Sequence, residues 1–366
     1  MRSTGRIGGR MAGAMALVAL LVGTVGASVQ GRTPQALEGT WEARAPEVGE
    51  RDGWVQLRLE EAGGSHEYGA SLRGEVAAEL FRRAEGQIAG ATSLTLEREA
   101  GTLELEGRVR HDEGLGVFRF REHTAFRTAM AEEGWTDLGA RDLLAATVAD
   151  VTVGHMRSLV RAGYDGISWD DLVASALFQV DTTFIQQMAD VGFDDLDIDD
   201  LVAFRIHGVT PEFVREIRAA GLPLDDESDA VAYRIHGVSA EWLTSMRDAG
   251  LEVRDPDDAV AYRIHRVTPE FAREAAAMGL GEPDPDDLVS MRIHGVTGEF
   301  VAAMRDAGVP PSDIDEAVAF RIHGVTPELV REMEEAGFEG LTGEDLIKVR
   351  IHGIDKLLRK GGSGGG

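Results

Sequence analysis

Six histidines stand at a fixed spacing in the C-terminal half of the chain. Each ends the tripeptide Arg-Ile-His, which recurs every 29 residues and gives His207, His236, His265, His294, His323 and His352. Packed helices lie about 8–10 Å apart, whereas zinc needs its nitrogen ligands about 2 Å away, so successive equivalent histidines do not reach one ion. We therefore predict a structural role, in which Arg and His supply donors and positive charge to the free carbonyls at a helix end. A pH-responsive role is the alternative, because imidazoles titrate near neutrality.

Acidic runs raise the question of a calcium site. Asp195, Asp197 and Asp199 match the start of a calcium-binding loop, but Asp200 replaces its glycine and Ile206 its bidentate acid. These acids coincide with a helix start, so we interpret them as caps. The chain also lacks cysteine, a glycine-rich phosphate loop and the Gly-x-Ser-x-Gly and His-Glu-x-x-His motifs. We predict no metal, no cofactor and no enzymatic activity.

Capping signals around each histidine define a unit of two short helices. Three residues after the histidine stands a Thr, Ser or Asp that suits a helix start, often followed by proline. A glycine then ends this first helix, and another cap five residues later begins a second helix that ends at the next histidine. The glycines that end first helices include Gly192, Gly221, Gly250, Gly279, Gly308 and Gly337.

These units predict a stacked architecture. Helices of about ten residues are marginal alone and must be held by neighbours, as in a solenoid. The period extends upstream with weaker copies, in which Ala149 and Phe178 take the place of histidine. We predict an α-solenoid of about nine 29-residue helical hairpins over residues 120–358. Arg266 replaces the glycine that follows the histidine in one copy, so we expect Arg266 to be left-handed and Arg266→Gly to stabilise the protein.

The region before the repeats has a strand pattern. Apolar and polar residues alternate over Trp54–Glu60, Ser93–Arg98 and Thr102–Arg110. We predict a small antiparallel β domain over residues 28–119, with about six strands in a sandwich or open barrel and a short helix near Glu75–Arg83. The predicted fold class is therefore α+β.

The N-terminal segment resembles an export signal. Arg2, Arg6 and Arg10 precede an uncharged run that ends in Val25-Gly26-Ala27, which predicts cleavage after Ala27 and a signal peptide over residues 1–27. An uncleaved anchor is the alternative, because the uncharged span is long enough to cross a bilayer. We expect a periplasmic or extracellular protein, with membrane contact only if this segment is uncleaved. Residues 359–366 are Gly and Ser only, apart from Lys360 and its neighbour Arg359, and predict a flexible tail.

Charge narrows the range of partners. The formal net charge is −27, from 64 acidic and 37 basic residues, so the surface repels nucleic acid and anionic lipid. Hydrophobic residues make up 43% of the chain, which is enough for a packed core. The absence of cysteine excludes disulfides, so the fold depends on packing and capping.

The repeat resembles a known bacterial sequence. The segment His207-Gly-Val-Thr-Pro-Glu-Phe-Val-Arg-Glu is similar to repeats with an Ile-His-Gly-Val-Thr-Pro-Glu signature. Such repeats are appended to some exported proteins and to homologues of the BlaR/MecR-type antirepressor membrane metallopeptidases. The peptidase motif is absent from this chain, so proteolysis is not implied. The resemblance implies an extracytoplasmic accessory or sensing module.

We therefore predict a non-enzymatic scaffold that binds an unknown protein or peptide. Binding residues are expected where the copies differ on the exposed side of the first helix, at Arg215, Thr244, Arg273, Ala302 and Arg331. One alternative is an envelope sensor or enzyme accessory whose ligand binds the β domain, with the repeats as a spacer. Another is a purely structural component of the envelope.

Overall fold

The structure is a computed structural model with an α+β fold. It describes residues 36–44, 54–63, 67–73, 76, 79–81, 89–224, 226–251 and 253–354. The predicted signal peptide and the Gly/Ser tail lie outside these residues. The described part contains a six-stranded antiparallel sheet followed by sixteen helices. The chain divides into two compact units, residues 1–184 and residues 185–366.

The sheet belongs to the first unit. Its strands are β1 Ala36–Arg44, β2 Trp54–Glu61, β3 Glu67–Arg73, β4 Ala89–Glu97, β5 Gly101–Arg110 and β6 Glu113–Glu122. The spatial order is β3-β2-β1-β6-β5-β4, so the first and sixth strands pair in the centre. This central pairing joins two three-stranded halves into one layer. The described strands therefore do not form the two-sheet sandwich that was one of the predicted arrangements. Of the predicted helix at Glu75–Arg83, the described residues Val76, Glu79 and Leu80 are helical.

The core of the sheet is built around a tryptophan that packs on glycines. Trp41 is 1% exposed, and its indole N–H donates to the Glu106 carbonyl oxygen at 3.2 Å. A Cβ at Gly116 would lie 2.7 Å from Trp41 Nε1 and 2.0 Å from the Glu106 carbonyl oxygen. A Cβ at Gly107 would lie 2.7 Å from the indole ring. Glycine is required at both positions because the ring fills the space that a side chain would take.

Sixteen helices follow the sheet in the described part of the chain. They are α1 Thr124–Glu132, α2 Ala140–Ala149, α3 Val153–Arg161, α4 Trp169–Leu177, α5 Thr182–Ala189, α6 Ile198–His207, α7 Pro211–Ala219, α8 Glu227–His236, α9 Ala240–Asp248, α10 Pro256–Ile264, α11 Pro269–Ala277, α12 Pro285–His294, α13 Gly298–Asp306, α14 Ile314–His323, α15 Pro327–Glu335 and α16 Gly343–His352. Odd-numbered helices are the first helices of the 29-residue units, and even-numbered helices are the second helices.

The predicted caps are confirmed in the described repeats. The Thr210 hydroxyl accepts from the Phe213 N–H at 3.2 Å, and the Asp197 carboxylate accepts from the Asp200 N–H at 3.0 Å. The other capping side chains are Thr152, Asp181, Ser239, Thr268, Thr297 and Thr326 for first helices. For second helices they are Ser168, Asp226, Asp255, Asp284, Asp313 and Thr342. The predicted cap Asp355 lies outside the described residues.

Packing between like helices holds these short segments. In the second unit each second helix contacts the next one, from α6 to α16, and the first helices α7, α9, α11 and α13 contact one another in the same way. The residue three before each histidine is buried in this contact, as Phe204, Tyr233, Tyr262, Met291, Phe320 and Val349. In the first unit, α1 contacts α3, α2 contacts α4, and α2 also packs on the sheet. Each short helix is thus stabilised by neighbours rather than by its own length.

Arg266 adopts the predicted left-handed conformation. Its φ is 56°, and glycine at the equivalent position of the preceding copy, Gly237, has φ 71°. We expect Arg266→Gly to raise the free energy of unfolding by about 0.5–1 kcal/mol, because relief of left-handed strain outweighs the greater freedom of glycine in the unfolded chain. Thermal denaturation measures the effect. An unchanged or lower melting temperature would contradict it.

The reciprocal variant is Gly237→Ala. An added Cβ there would lie 2.8 Å from Arg263 Nη2 in a backbone conformation that side chains rarely adopt. We expect this variant to lower the melting temperature, which gives the Arg266→Gly experiment a control of opposite sign.

Candidate interaction surface

The arginine of each Arg-Ile-His triplet after the first binds the preceding repeat. Arg263 Nε donates to the His236 carbonyl oxygen at 2.9 Å, and its guanidinium lies over the Trp242 ring, 5.5 Å from the centroid. Equivalent bonds join Arg234 to His207, Arg292 to Arg266, Arg321 to His294 and Arg350 to Gly324. We call Arg234, Arg263, Arg292, Arg321 and Arg350 the arginine ladder. It supplies donors to carbonyls that a helix end leaves without an intrahelical partner.

This arrangement corrects the predicted role of the arginine. Sequence reasoning assigned it to the end of its own helix, but it caps the second helix of the copy before it. The reason is the side-by-side packing of second helices, which brings each arginine to the end of its neighbour. An aromatic residue six positions after the histidine completes the contact, as Arg234 over Phe213, Arg292 over Phe271 and Arg321 over Phe300. In these pairs the aromatic residue and the arginine are 21 residues apart, and this fixed spacing was the sequence signal that could have revealed the contact between neighbouring repeats.

The histidines contribute backbone to this contact. The carbonyl oxygens of His207, His236 and His294 accept from the ladder. His323 and His352 are exposed, and the other four imidazoles are half-buried. Within the described residues, no group of three or more His, Asp or Glu is arranged to hold a metal ion. In these three repeats the histidine therefore takes part in the contact at the helix end through its backbone carbonyl oxygen.

The isoleucine of the last five triplets faces solvent. Ile235, Ile264, Ile293, Ile322 and Ile351 are 57%, 52%, 54%, 54% and 58% exposed. We call these five residues the isoleucine row. Ile206 of the first triplet is half-buried. Isoleucine is a weaker helix former than alanine or leucine, so helix stability does not explain its presence at the same exposed position in the five later copies. Sequence reasoning missed the row, although each isoleucine follows a core residue by two positions, about 200° around the helix.

Carboxylates occupy the first turns of the same second helices. We call Asp229, Asp257, Asp258, Asp286, Asp315 and Glu344 the acidic ridge. Burial raises the pKa of Asp258, and the nearby carboxylates of Asp255 and Asp286 raise it further. Burial likewise raises the pKa of Asp229, with Asp226 and Asp257 among the groups that add to the shift. Negative charges from successive repeats therefore act on one another along the ridge.

The rise in carboxyl pKa is largest at Asp200, which lies one repeat before Asp229. Burial, together with the carboxylates of Asp197 and Glu227, raises the pKa of Asp200 to about 6. Because this pKa exceeds the ordinary value of 3.8, the folded chain holds the proton more tightly than the unfolded chain. This tighter proton binding stabilises the folded chain fully when the pH is below the ordinary pKa of 3.8. The stabilisation is lost as the pH rises through about 6.

We expect Asp200→Asn to stabilise the protein at neutral pH. The gain should be roughly 0.5–1 kcal/mol near pH 7.5, reduced by solvent screening of a partly exposed group, and should vanish near pH 4. Melting temperatures across this range measure it. Asp195→Asn is the control, because Asp195 is an exposed loop residue and the substitution changes the net charge equally. A gain of the same size at both ends of the pH range would contradict the assignment.

The predicted partner-binding residues lie on the first helices. Arg215, Thr244, Arg273, Ala302 and Arg331 are all exposed. The three arginines pair within their own helices, as Arg215 with Glu212 at 3.2 Å and Arg331 with Glu328 at 2.8 Å. The Thr244 hydroxyl donates to the Ala240 carbonyl oxygen at 2.8 Å. Their role in binding stays a prediction, and they stand apart from the isoleucine row on the second helices.

A serine, a histidine and an aspartate also come together in the first unit. His155 Nε2 lies 2.9 Å from Ser175 Oγ, and burial lowers the pKa of His155 while Asp181 opposes this shift. However, Ser175 is fully buried and donates to the Leu172 carbonyl oxygen at 2.8 Å. Asp181 accepts from the Phe184 N–H as a helix cap. This arrangement satisfies buried polar groups and gives a substrate no access to the hydroxyl.

A shallow pocket of about 370 Å³ also lies in the first unit. It is lined by Trp135 and Trp169, whose rings pack edge to face at 5.4 Å, and by the carboxylates of Asp137, Asp142 and Asp170. Burial and the carboxylates of Asp171 and Asp142 raise the pKa of Asp170. Ring faces and carboxylates both favour positively charged groups. No sequence motif identified this pocket.

No single described helix is long and apolar enough to cross a bilayer; α2 and α3 meet that test only as a pair, which is bent by 81°. No protein-family model, curated protein or solved structure matches the chain. The resemblance to the repeats of antirepressor homologues therefore stays a prediction.

Proposed function

We propose that this chain is an exported, non-enzymatic scaffold that binds a protein or peptide through its helical repeats. The observation that carries the proposal is the isoleucine row, which places five apolar side chains in solvent at one position of successive units. Burying each of them on a partner would remove apolar surface from water, at roughly 25 cal/mol per Å². A protein that had no partner for this row would gain solubility from polar residues there.

We further propose that the helix pairs stack as an α-solenoid of about nine hairpins. Two observations support this: successive second helices contact one another, and the arginine ladder joins each repeat to the one before it. Solenoids present extended faces to partners, in contrast to folds that enclose one catalytic pocket. The ladder would keep neighbouring isoleucines in register, which a binding face of this kind requires.

A pull-down with matched surface variants of the full chain tests the proposal. Wild type is compared with Ile264→Gln/Ile293→Gln/Ile322→Gln as bait in a cell-envelope extract, and captured proteins are identified. Glutamine is a good helix former, so the variant removes apolar surface with little effect on the helix. We expect an identified partner to be captured by wild type and lost from this variant. Circular dichroism melts confirm that the variant is folded.

A second variant tests the rival surface on the first helices. Arg215→Ala/Arg273→Ala/Arg331→Ala removes three of the residues that sequence reasoning selected. Loss of the partner from this variant alone would move the binding face to the first helices. A partner retained by both variants would contradict binding through the repeats and favour a ligand in the sheet region.

A further inference from the structure

The spacing of the isoleucine row restricts what can lie on it. Each of its members belongs to a different second helix, and successive second helices contact one another. Packed helices lie about 8–10 Å apart, so equivalent side chains on neighbouring helices repeat at about this distance. A partner that contacts every isoleucine must present apolar side chains at the same interval.

Among regular polypeptide conformations, polyproline II matches this interval best. It has three residues per turn and rises about 3.1 Å per residue, so every third side chain lies on one face about 9.3 Å from the next. A β-strand repeats its face every second residue, at about 6.6–6.8 Å. An α-helix repeats at about 5.4 Å per turn, and seven residues span about 10.5 Å, beyond the usual helix separation.

Charge restricts the partner as well. The ridge acids Asp257, Asp286 and Asp315 are exposed and stand seven residues before Ile264, Ile293 and Ile322 in the same helices. Seven residues are nearly two helical turns, so each acid shares a face with its isoleucine, about 10.5 Å along the axis. Lysine or arginine side chains extending from a ligand on the row can reach toward these acids.

Other occupants fit this face less well. A second copy of the chain, with a formal net charge of −27, would bring two acidic ridges together. An acidic partner would depend on the arginine ladder, whose guanidinium groups are held in place by their bonds to backbone carbonyls, and those of Arg234, Arg263, Arg292 and Arg321 also by aromatic rings, which leaves only part of their donors for a ligand. The row therefore favours a positively charged ligand.

We infer that the isoleucine row binds an extended peptide segment in the polyproline II conformation, with an apolar side chain at every third residue and basic side chains between them. This inference rests on the proposed function and names the chemistry of its partner. The apolar side chains pack between and against the isoleucines, and the basic side chains face the acidic ridge.

Synthetic peptides and the full-length protein test the inference. A labelled peptide of about five Leu-Pro-Lys triplets has the expected period and conformation. The first comparison peptide has the same composition with leucines at alternate positions, and the second is a lysine-rich helical peptide with one leucine in every seven residues. Fluorescence anisotropy at low and high salt measures the affinity of each.

We expect the triplet peptide to bind at least about tenfold more tightly than either comparison peptide, which is a difference of about 1.4 kcal/mol. Ile264→Gln/Ile293→Gln should weaken its binding about tenfold or more, and Asp257→Asn/Asp286→Asn should weaken it severalfold and reduce its salt dependence. Asp248→Asn/Asp306→Asn, at exposed positions of two first helices, is the matched control, because it changes the net charge as much as Asp257→Asn/Asp286→Asn, and it should leave the affinity unchanged.

Three outcomes in which a peptide does bind would overturn the inference: equal affinity for the triplet and alternate peptides, preference for either comparison peptide, or binding that is insensitive to the isoleucine substitutions. Failure of every peptide to bind would overturn it too. In that case an envelope partner lost from the isoleucine variant in the pull-down would still support the proposed function, so the two failures are distinguishable.

Discussion

Replacing Trp41 by alanine is expected to lower the stability of the sheet by about 3–5 kcal/mol, the largest effect of any substitution considered for this protein. Trp41 is 1% exposed and fills the space above Gly116 in the neighbouring strand β6 and Gly107 in β5, the strand beyond it. Its removal leaves a cavity that those glycines cannot fill, since they have no side chain to move. It also leaves the Glu106 carbonyl oxygen without its indole donor.

Hydrogen exchange measured by mass spectrometry gives the location of this effect, and calorimetry gives its size. Faster exchange should appear in β1, β5 and β6, the strands that surround the ring. Trp41→Phe is the control, because it keeps an aromatic ring and loses the N–H donor, so its cost should be clearly smaller. A loss of less than about 1 kcal/mol for Trp41→Ala would show that the sheet repacks around the vacancy.

Replacing Arg263 by alanine should cost about 2 kcal/mol in the helical repeats. The substitution removes a charged donor from the His236 carbonyl oxygen and a cation from the face of the Trp242 ring. Hydrogen bonds to charged groups contribute about 1.5–3 kcal/mol, and a cation over an exposed ring adds about 0.5–1 kcal/mol. We place the sum near the lower end because Arg263 is solvent-exposed.

Two variants separate the effect of the planar guanidinium from that of its charge, and the effect of the ladder position from that of any exposed arginine. Arg263→Lys keeps the charge but lacks the planar guanidinium that donates and stacks together, so it should recover only part of the stability. Arg247→Ala removes an exposed arginine from the first helix of the same repeat and should change stability by less than about 0.5 kcal/mol. Equal effects of Arg263→Ala and Arg247→Ala in chemical denaturation would show that the ladder bond contributes nothing.

Local features of the repeats were predictable because their causes are local. A capping side chain such as Thr210 acts on an N–H three residues away, so its signal lies within a few residues of sequence. The left-handed residue at Arg266 followed from its position after a helix end, where the other Arg-Ile-His copies have glycine. The alternation over Thr102–Arg110 marked a strand for the same reason, because opposite faces of one strand meet different surroundings.

Features that depend on distant parts of the chain were not predictable in this way. The pairing of β1 with β6 joins segments about 80 residues apart and decides that one sheet forms rather than a sandwich. The arginine ladder depends on the lateral register of neighbouring helices, which the pattern of a single repeat does not contain. The predicted binding positions, such as Arg215, were chosen because they vary between copies. The isoleucine row is invariant from copy to copy, so that criterion could not reveal this exposed apolar surface.

The sequence by itself determined the 29-residue period, the beginnings and ends of helices α3 to α16 and the α+β class, because backbone capping and hydrophobic periodicity act over a few residues. Only the tertiary structure decided what the Arg-Ile-His triplet does. Side-by-side contact of second helices turns the arginine onto the preceding helix end, uses the histidine position for its carbonyl, and leaves the isoleucine in solvent. Those three outcomes depend on which helix faces are covered by neighbours, and that is a property of packing rather than of local sequence.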